Sequence, residues 1–417
     1  METEKPNETD SPDERAHGHS DHHCRHPGVS DVCRRLCSGR IGAGAATLNR
    51  SLLKSHFSLG SSVVAGERAT AIHANDAEDT GRIFVIEFSI LELGRVRQGS
   101  DRRSALDEAR TLAQYAEQWG YRRFWVAEHH NMPTVTTAAT SLVIAHIAAG
   151  TQTIRVGAGG IMLPNHAPYV IAEQFGTLET LFPGRIDLGL GRAPGTDQLT
   201  LRALRRDPAN ADNFPHDVLE LQAFLAPATP DQRIEAVPGS GTQVPLWILG
   251  SSLFGAQLAA ELGLPYGFAS HFAPQALDQA LQVYRERFKP STQLAKPYVL
   301  VGVNIIAAES DAEARRLATS QQMSFVGIFR GARALTQPPI DDIETYWTSQ
   351  ERMQVSQMLA CSIVGSPETV RNGMKALVER TGADELMIVS DVFDPQKRLR
   401  SFEMIAETAG LANLAKR

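Results

Sequence analysis

Four short stretches of this chain gather residue types that can do chemistry. At Glu128-His129-His130-Asn131 a carboxylate, two imidazoles and an amide follow an apolar run. Such groups are costly to enclose unless each finds a partner, and imidazole titrates near neutrality, so the run is a candidate for handling protons. Side chains alternate along a strand, so one imidazole can face a pocket while its neighbour supports it from behind. In Val156-Gly157-Ala158-Gly159-Gly160-Ile161-Met162 glycines interrupt a strand pattern. Glycines there mark a bulge, the close packing of layers, or the approach of a flat ligand. Gly189-Leu190-Gly191-Arg192-Ala193-Pro194-Gly195 has the spacing G-x-G-x-x-x-G, which is wrong for a dinucleotide turn. Its exposed backbone N–H groups and the Arg192 fork nonetheless suit a phosphate or another anion. Gly250-Ser251-Ser252 turns directly into a helix, which offers free amides and two hydroxyls as a second anion cradle. Arg192 and this turn, on neighbouring strands, can hold one phosphate between them.

Composition narrows what such sites belong to. The 417 residues are 42% hydrophobic and 21% charged, enough to bury a large core. No apolar run approaches a membrane span, and a net charge of -6 argues against binding nucleic acid through its phosphates. The sequence reading is therefore a cytoplasmic protein without membrane or nucleic-acid partners. Three of the four cysteines (Cys24, Cys33, Cys37) precede residue 82, leaving Cys361 alone beyond it, which suits a reducing compartment. Residues 1–81 lack sustained apolar periodicity and are read as a disordered extension. Their dense His and Cys match no standard zinc spacing. The basic, Ser- and Ala-rich part resembles a transit peptide in composition, although the acidic stretch before it speaks against that. Within 82–417 His129, His130, His166 and His271 are scattered over several strand ends without H-x-H or H-E-x-x-H spacing, so no metal is expected.

The elements that must position these stretches repeat one rhythm of helix, glycine and strand. Ser104–Trp119 sets Ala105, Ala109, Leu112 and Ala116 on one face, with Ser104 and Asp107 as its N-terminal cap and Gly120 at its end. Strand Arg123–Ala127 follows. The same punctuation precedes strands at Ile154–Val156, Ile186–Leu188, Tyr266–Phe268 and Leu386–Val389. Adding Ile83–Leu91, Leu246–Leu249 and Tyr298–Ala307 gives eight strands. The pattern predicts an α/β fold, a (β/α)8 TIM barrel over 82–417 with insertions near 196–243 and 309–362. An open doubly wound sheet is the alternative. In a barrel, chemistry collects at the C-terminal ends of the strands, where all four stretches fall.

Those stretches, with Phe182-Pro183-Gly184-Arg185-Ile186-Asp187, Gly160-Ile161-Met162-Leu163-Pro164-Asn165-His166 and Ala269-Ser270-His271-Phe272, resemble the bacterial luciferase-like flavin-dependent monooxygenases. The similarity runs from about residue 83 to 411 and is closest to a subgroup with the same Glu-His-His-Asn and Gly-Arg-Ala-Pro-Gly motifs. The resemblance implies a homodimer of barrels binding FMN in the mouth. His129 would be the catalytic histidine, and Glu128 and His130 would join it as catalytic residues. A non-proline cis peptide at Gly159-Gly160 would face the flavin ring, and Arg192, Gly250, Ser251 and Ser252 would take the phosphate. Light-emitting members carry a reactive cysteine near the flavin; none stands at the motif positions here, so bioluminescence is not expected.

The expected activity is oxygenation of a small-molecule substrate by reduced FMN (FMNH2) and O2. A separate NAD(P)H-dependent flavin reductase would supply the cofactor, and the 309–362 insertion would act as a lid. The alternatives are a deazaflavin-dependent hydride-transfer enzyme and a non-catalytic flavin- or partner-binding barrel.

Overall fold

The computed structural model describes residues 84 and 86–411, apart from 333. The His- and Cys-rich extension, the proposed transit-like composition and Ile83 lie outside the described residues. Nine strands form among the described residues: β1 (Glu87–Glu92), β2 (Arg123–Val126), β3 (Arg155–Met162), β4 (Ile186–Gly191), β5 (Leu246–Gly250), β6 (Tyr266–Phe268), β7 (Val299–Ala307), β8 (Ile363–Gly365) and β9 (Glu385–Val389). Eight of them close into a parallel barrel in the order β1-β2-β3-β4-β5-β6-β7-β9, with β9 pairing back onto β1. The open sheet is thereby excluded. The ninth strand, β8, pairs only with the last residues of β7, through Ile305↔Ile363 and Ala307↔Gly365. The sequence reading did not include it, because three residues with no partner beyond β7 leave little periodicity to see.

The helices among the described residues are α1 (Arg102–Trp119), α2 (Thr140–Ala148), α3 (Pro168–Leu181), α4 (Gln198–Ala203), α5 (Phe214–Leu225), α6 (Leu253–Leu262), α7 (Leu277–Arg287), α8 (Asp311–Phe329), α9 (Ser349–Met358), α10 (Pro367–Thr381) and α11 (Pro395–Ala409). The face read for α1 is the buried one, and Gly120 ends it with φ +88°. Its cap differs from the reading: Asp101 accepts the Ser104 amide at 2.8 Å, one turn before the residues named. Ser104 lies inside the helix because its own N–H is the group being capped.

Two apolar layers hold the barrel. Helices bury their stripes on its outer wall, as with Ile171, Phe175 and Leu178 of α3. Inside, Leu91, Trp125, Trp247, Leu300 and Met387 fill the bore. Below them, at the N-terminal ends of the strands, lies a buried charge network. Arg123 reaches Asp187 at 2.8 Å and both oxygens of Glu385 at 3.1 Å. Arg155 adds bonds of 2.6 and 3.0 Å to Asp187, Tyr298 donates to Glu385 at 2.9 Å, and Ser89 donates to the same carboxylate. The two neighbouring guanidinium groups outweigh burial and hold Asp187 below the usual carboxylate range.

Candidate active site

The C-terminal mouth opens into a cavity of about 1080 Å³. Seven strand ends supply its chemistry. After β2 the backbone sends His129 into the cavity and turns Glu128 and His130 away from it. Glu128 is fully buried. Its carboxylate meets His130 Nε2 at 2.7 Å and His166 Nε2 at 2.9 Å, and accepts the Met162 amide at 3.0 Å and Asn165 Nδ2 at 3.3 Å. Burial alone would raise its pKa, but the hydrogen bonds from His130 and His166 prevail and bring it down to about 2. Glu128 thus ties β2 to the single turn of 3-10 helix at Leu163–Asn165 and fixes the direction of its neighbour His129. The scattered histidines read from sequence divide accordingly: His130 and His166 gather on this carboxylate, while His129 and His271 face the cavity. Glu128, His130 and His166 have a donor set that metals accept, yet each imidazole already spends its Nε2 on the carboxylate.

His129 is held below the usual imidazole range, chiefly by burial and then by the positive charge of Arg95, against a hydrogen bond to the Gly195 backbone that raises it. It is therefore neutral at pH 7 and able to accept a proton.

On β3 the Gly159–Gly160 peptide is cis, and the β3–β4 register shifts between Ala158 and Ile161, which is the bulge read from the sequence. Space is tight at both glycines, and at Gly160 the obstacle is backbone. A Cβ on Gly159 would come 2.7 Å from Leu91 Cδ1, and one on Gly160 would come 2.6 Å from the Gly189 carbonyl oxygen. The bare backbone leaves a flat surface on the cavity wall.

At the ends of β4 and β5 lies the anion cradle. Arg192 is exposed, lies over the Phe254 ring at 4.2 Å, and pairs with no carboxylate among the described residues. Ser252 occupies the N-cap of α6 without a side-chain capping bond, so the first amides of α6 face the cavity rim where Gly250 and Ser251 also stand. A free guanidinium, two hydroxyls and uncapped amides on adjacent strands fit a phosphate, and the glycine wall beside them fits a planar ring.

Three further mouth residues went unassigned in the sequence reading. Arg95 follows β1, Asp391 follows β9, and His271 follows β6; all three line the cavity. Arg95 Nε stands 2.6 Å from Asp391 Oδ2. Burial drives the His271 pKa down to about 4, against the opposing charge of Asp391. His271 was visible in its motif, whereas Arg95 and Asp391 are lone charges that only barrel closure brings together. The 309–362 insertion covers the cavity: Phe325 and Ile328 of α8, Leu335, Tyr346 and Met358 all line it. Thr336 bridges to the segment after β1, with Gln98 N donating to its carbonyl at 2.9 Å and its own N–H donating to Val96 at 3.2 Å.

The fold is a closed parallel barrel whose mouth carries a candidate anion cradle beside a glycine wall. Residues 86–385 match the luciferase-like monooxygenase family, and the chain belongs to that family. A luciferase-like monooxygenase of Escherichia coli (strain K12) is 52% identical over 320 residues, spanning 76% of this chain and 96% of that one. N-acetyl-S-alkylcysteine monooxygenase of Bacillus subtilis (strain 168) is 29% identical over 331 residues, spanning 78% and 98%. Among solved structures, apo-MsnO8 superposes with a TM-score of 0.69 at 34% identity, covering 78% of this chain and 98% of that one. Two others show the fold alone. The oxygenating constituent of 3,6-diketocamphane monooxygenase from Pseudomonas putida, in complex with FMN, has a TM-score of 0.57 at 19% identity, covering 78% and 97%. An F420-dependent secondary alcohol dehydrogenase with an F420-acetone adduct has a TM-score of 0.57 at 13% identity, covering 78% and 99%. No described helix is long and apolar enough to cross a membrane.

Proposed function

We propose that this chain is a monooxygenase that uses reduced FMN and O2 to oxygenate a small organic molecule. The observation that carries this reading is the unpaired Arg192 beside the uncapped start of α6, set next to the Gly159–Gly160 wall and within the cavity that His129 enters. Reduced FMN supplies the electrons that activate O2. Arg192, Gly250, Ser251 and Ser252 hold the phosphate, and Gly159 and Gly160 admit the ring. His129, neutral at pH 7, takes a proton from the substrate or returns one to it. Glu128 is a positioning residue that acts through the turn it anchors, and His130 locks that carboxylate in place. The insertion closes over the cavity and keeps bulk water from the reacting atoms. A separate NAD(P)H-dependent flavin reductase as electron source and a homodimeric state complete the proposal. The purified chain should then oxidise no NAD(P)H by itself and should sediment at twice its monomer mass.

The test is titration of the full chain with FMN and with a deazaflavin, oxidised and reduced, followed by exposure of the reduced complex to isotopically labelled O2 with candidate substrates. Saturable FMN binding and label in a product support the reading. Binding of deazaflavin alone would replace it with hydride transfer. Binding of neither would end it, and flavin-linked activity unchanged by His129→Ala would favour a non-catalytic barrel.

A further inference from the structure

The Arg95, Asp391 and His271 cluster has no part in the cofactor cradle. Around the barrel, the cradle stands on β4 and β5, while Arg95 and Asp391 stand at the β1–β9 seam on the other side of the mouth. We propose that the substrate of this site presents a carboxylate, or an oxyanion of like shape, to the Arg95 guanidinium and the His271 imidazole.

Three observations carry this. Arg95 spends only part of its bonding capacity. Asp391 Oδ2 forms an ion pair with its Nε at 2.6 Å, and no other bond or ion pair joins its guanidinium to a described residue. Guanidinium carries five N–H donors in a planar fork, and the cavity is where the remaining ones can be met. The second observation is His271, whose ring lines the cavity while its Nδ1 is buried against Gly302 without a hydrogen-bond partner. Its backbone and ring are both held. Asn304 Nδ2 donates to the His271 carbonyl at 2.5 Å, Gln321 Nε2 donates to Asn304 Oδ1 at 2.9 Å, and Phe272 packs edge-on at 4.9 Å. Gly302 makes room for it, since a Cβ there would come 2.6 Å from Nδ1. The third is the supply of donors. Burial keeps both His129 and His271 neutral, so the terminal amino groups of Arg95 are the charged donors of this corner, and Asp391 is the carboxylate paired with it among the described residues. Beyond it the wall is apolar, with Met132, Phe325, Ile328 and Met358, so the rest of the molecule is a hydrocarbon body. An organic acid with an apolar body matches both halves.

The inference rests on the monooxygenase reading only in calling this ligand the substrate. Its test uses the full chain, loaded with FMN and also free of it, titrated calorimetrically with octanoate, benzoate and their methyl esters. FMN affinity is measured separately. The expected result is saturable binding of at least one acid, about tenfold or more tighter than its ester, as charge-assisted pairing requires. Arg95→Met should abolish that preference with FMN affinity unchanged, Arg95→Lys should keep part of it, and His271→Gln should weaken acid binding. Equal affinity for acid and ester, or no saturable binding of either acid, overturns the proposal. So does an Arg95→Met protein that binds reduced FMN poorly but still prefers the acid, since Arg95 would then serve the flavin. Should Arg95→Met not fold, the acid-to-ester ratio of the unaltered chain decides alone. Loss of FMN binding with acid binding intact would sink the flavin reading and leave this one standing.

Discussion

The two ends of the barrel bore are built from the same residue types and treated in opposite ways. At the base, Arg123 is matched by Asp187 and Glu385, which also satisfy Arg155, Tyr298 and Ser89. At the mouth, Arg95 pairs with Asp391 through one nitrogen alone, and His271 keeps a buried Nδ1 without a hydrogen-bond partner. Near the base, Trp247 Nε1 is also unpaired, but its ring lies under the Arg123 guanidinium at 4.7 Å. A buried charge that is fully hydrogen-bonded fixes strands, whereas one left short of partners keeps its capacity for something that arrives. The difference separates the end that makes the barrel from the end that uses it.

Breaking the base should have the largest effect. Arg123→Met leaves the buried Glu385 without a cationic partner and Asp187 with Arg155 alone, and should cost about 3–5 kcal/mol of stability, read from denaturant unfolding. A loss below about 1 kcal/mol would remove the contrast between the two ends. At the mouth, His129→Ala should leave unfolding nearly unchanged but lower oxygenation by about a hundredfold or more, measured as labelled product per flavin oxidised. An equal fall in stability would make His129 a second base-type residue. Smaller again, Arg192→Ala should weaken FMN by about tenfold while leaving riboflavin unaffected, because only the phosphate contact is removed.

The smallest effect is a pH slope. With its pKa pushed by burial to about 4, folded His271 stays neutral at pH values where the unfolded chain, near the ordinary 6.5, is protonated. The unfolded state thus binds more protons in that window, and stability falls as pH drops from about 6.5 to about 4. His271→Gln should flatten this part of a stability-against-pH curve, and an unchanged slope would place the imidazole in a wetter setting than the cavity wall.

The barrel was legible because its rhythm is local. Five helices (α1, α2, α3, α6 and α10) are followed by a glycine and then, within a few residues, by a strand, and the glycines of β3, the Arg192 loop and the Gly-Ser-Ser turn carry their chemistry in contiguous motifs. Alternation along β2 also foretold that one of two adjacent histidines would support the other's neighbourhood, though not that Glu128 would be the post holding His130 and His166. What stayed hidden is non-local. Arg123, Arg155, Asp187 and Glu385 look like ordinary charges at strand starts until closure stacks them in one plane, and Arg95 meets Asp391 only because β9 returns to β1. Strand β8 failed to register for the opposite reason: it is too short to show a period and lies outside the ring.

The Thr336 bridge links two functions that the chain keeps far apart. The segment carrying Arg95 runs on to Val96 and Gln98, whose backbone is clipped to the covering insertion, while within that insertion Arg330 at the end of α8 ties to Glu351 of α9 at 2.6 Å. Swinging the cover outward therefore tugs on the stretch that holds the arginine. The exchange rates of the Gln98 and Thr336 amide protons in heavy water become a clock for admission and release, and a bound acid should slow that clock at both positions together.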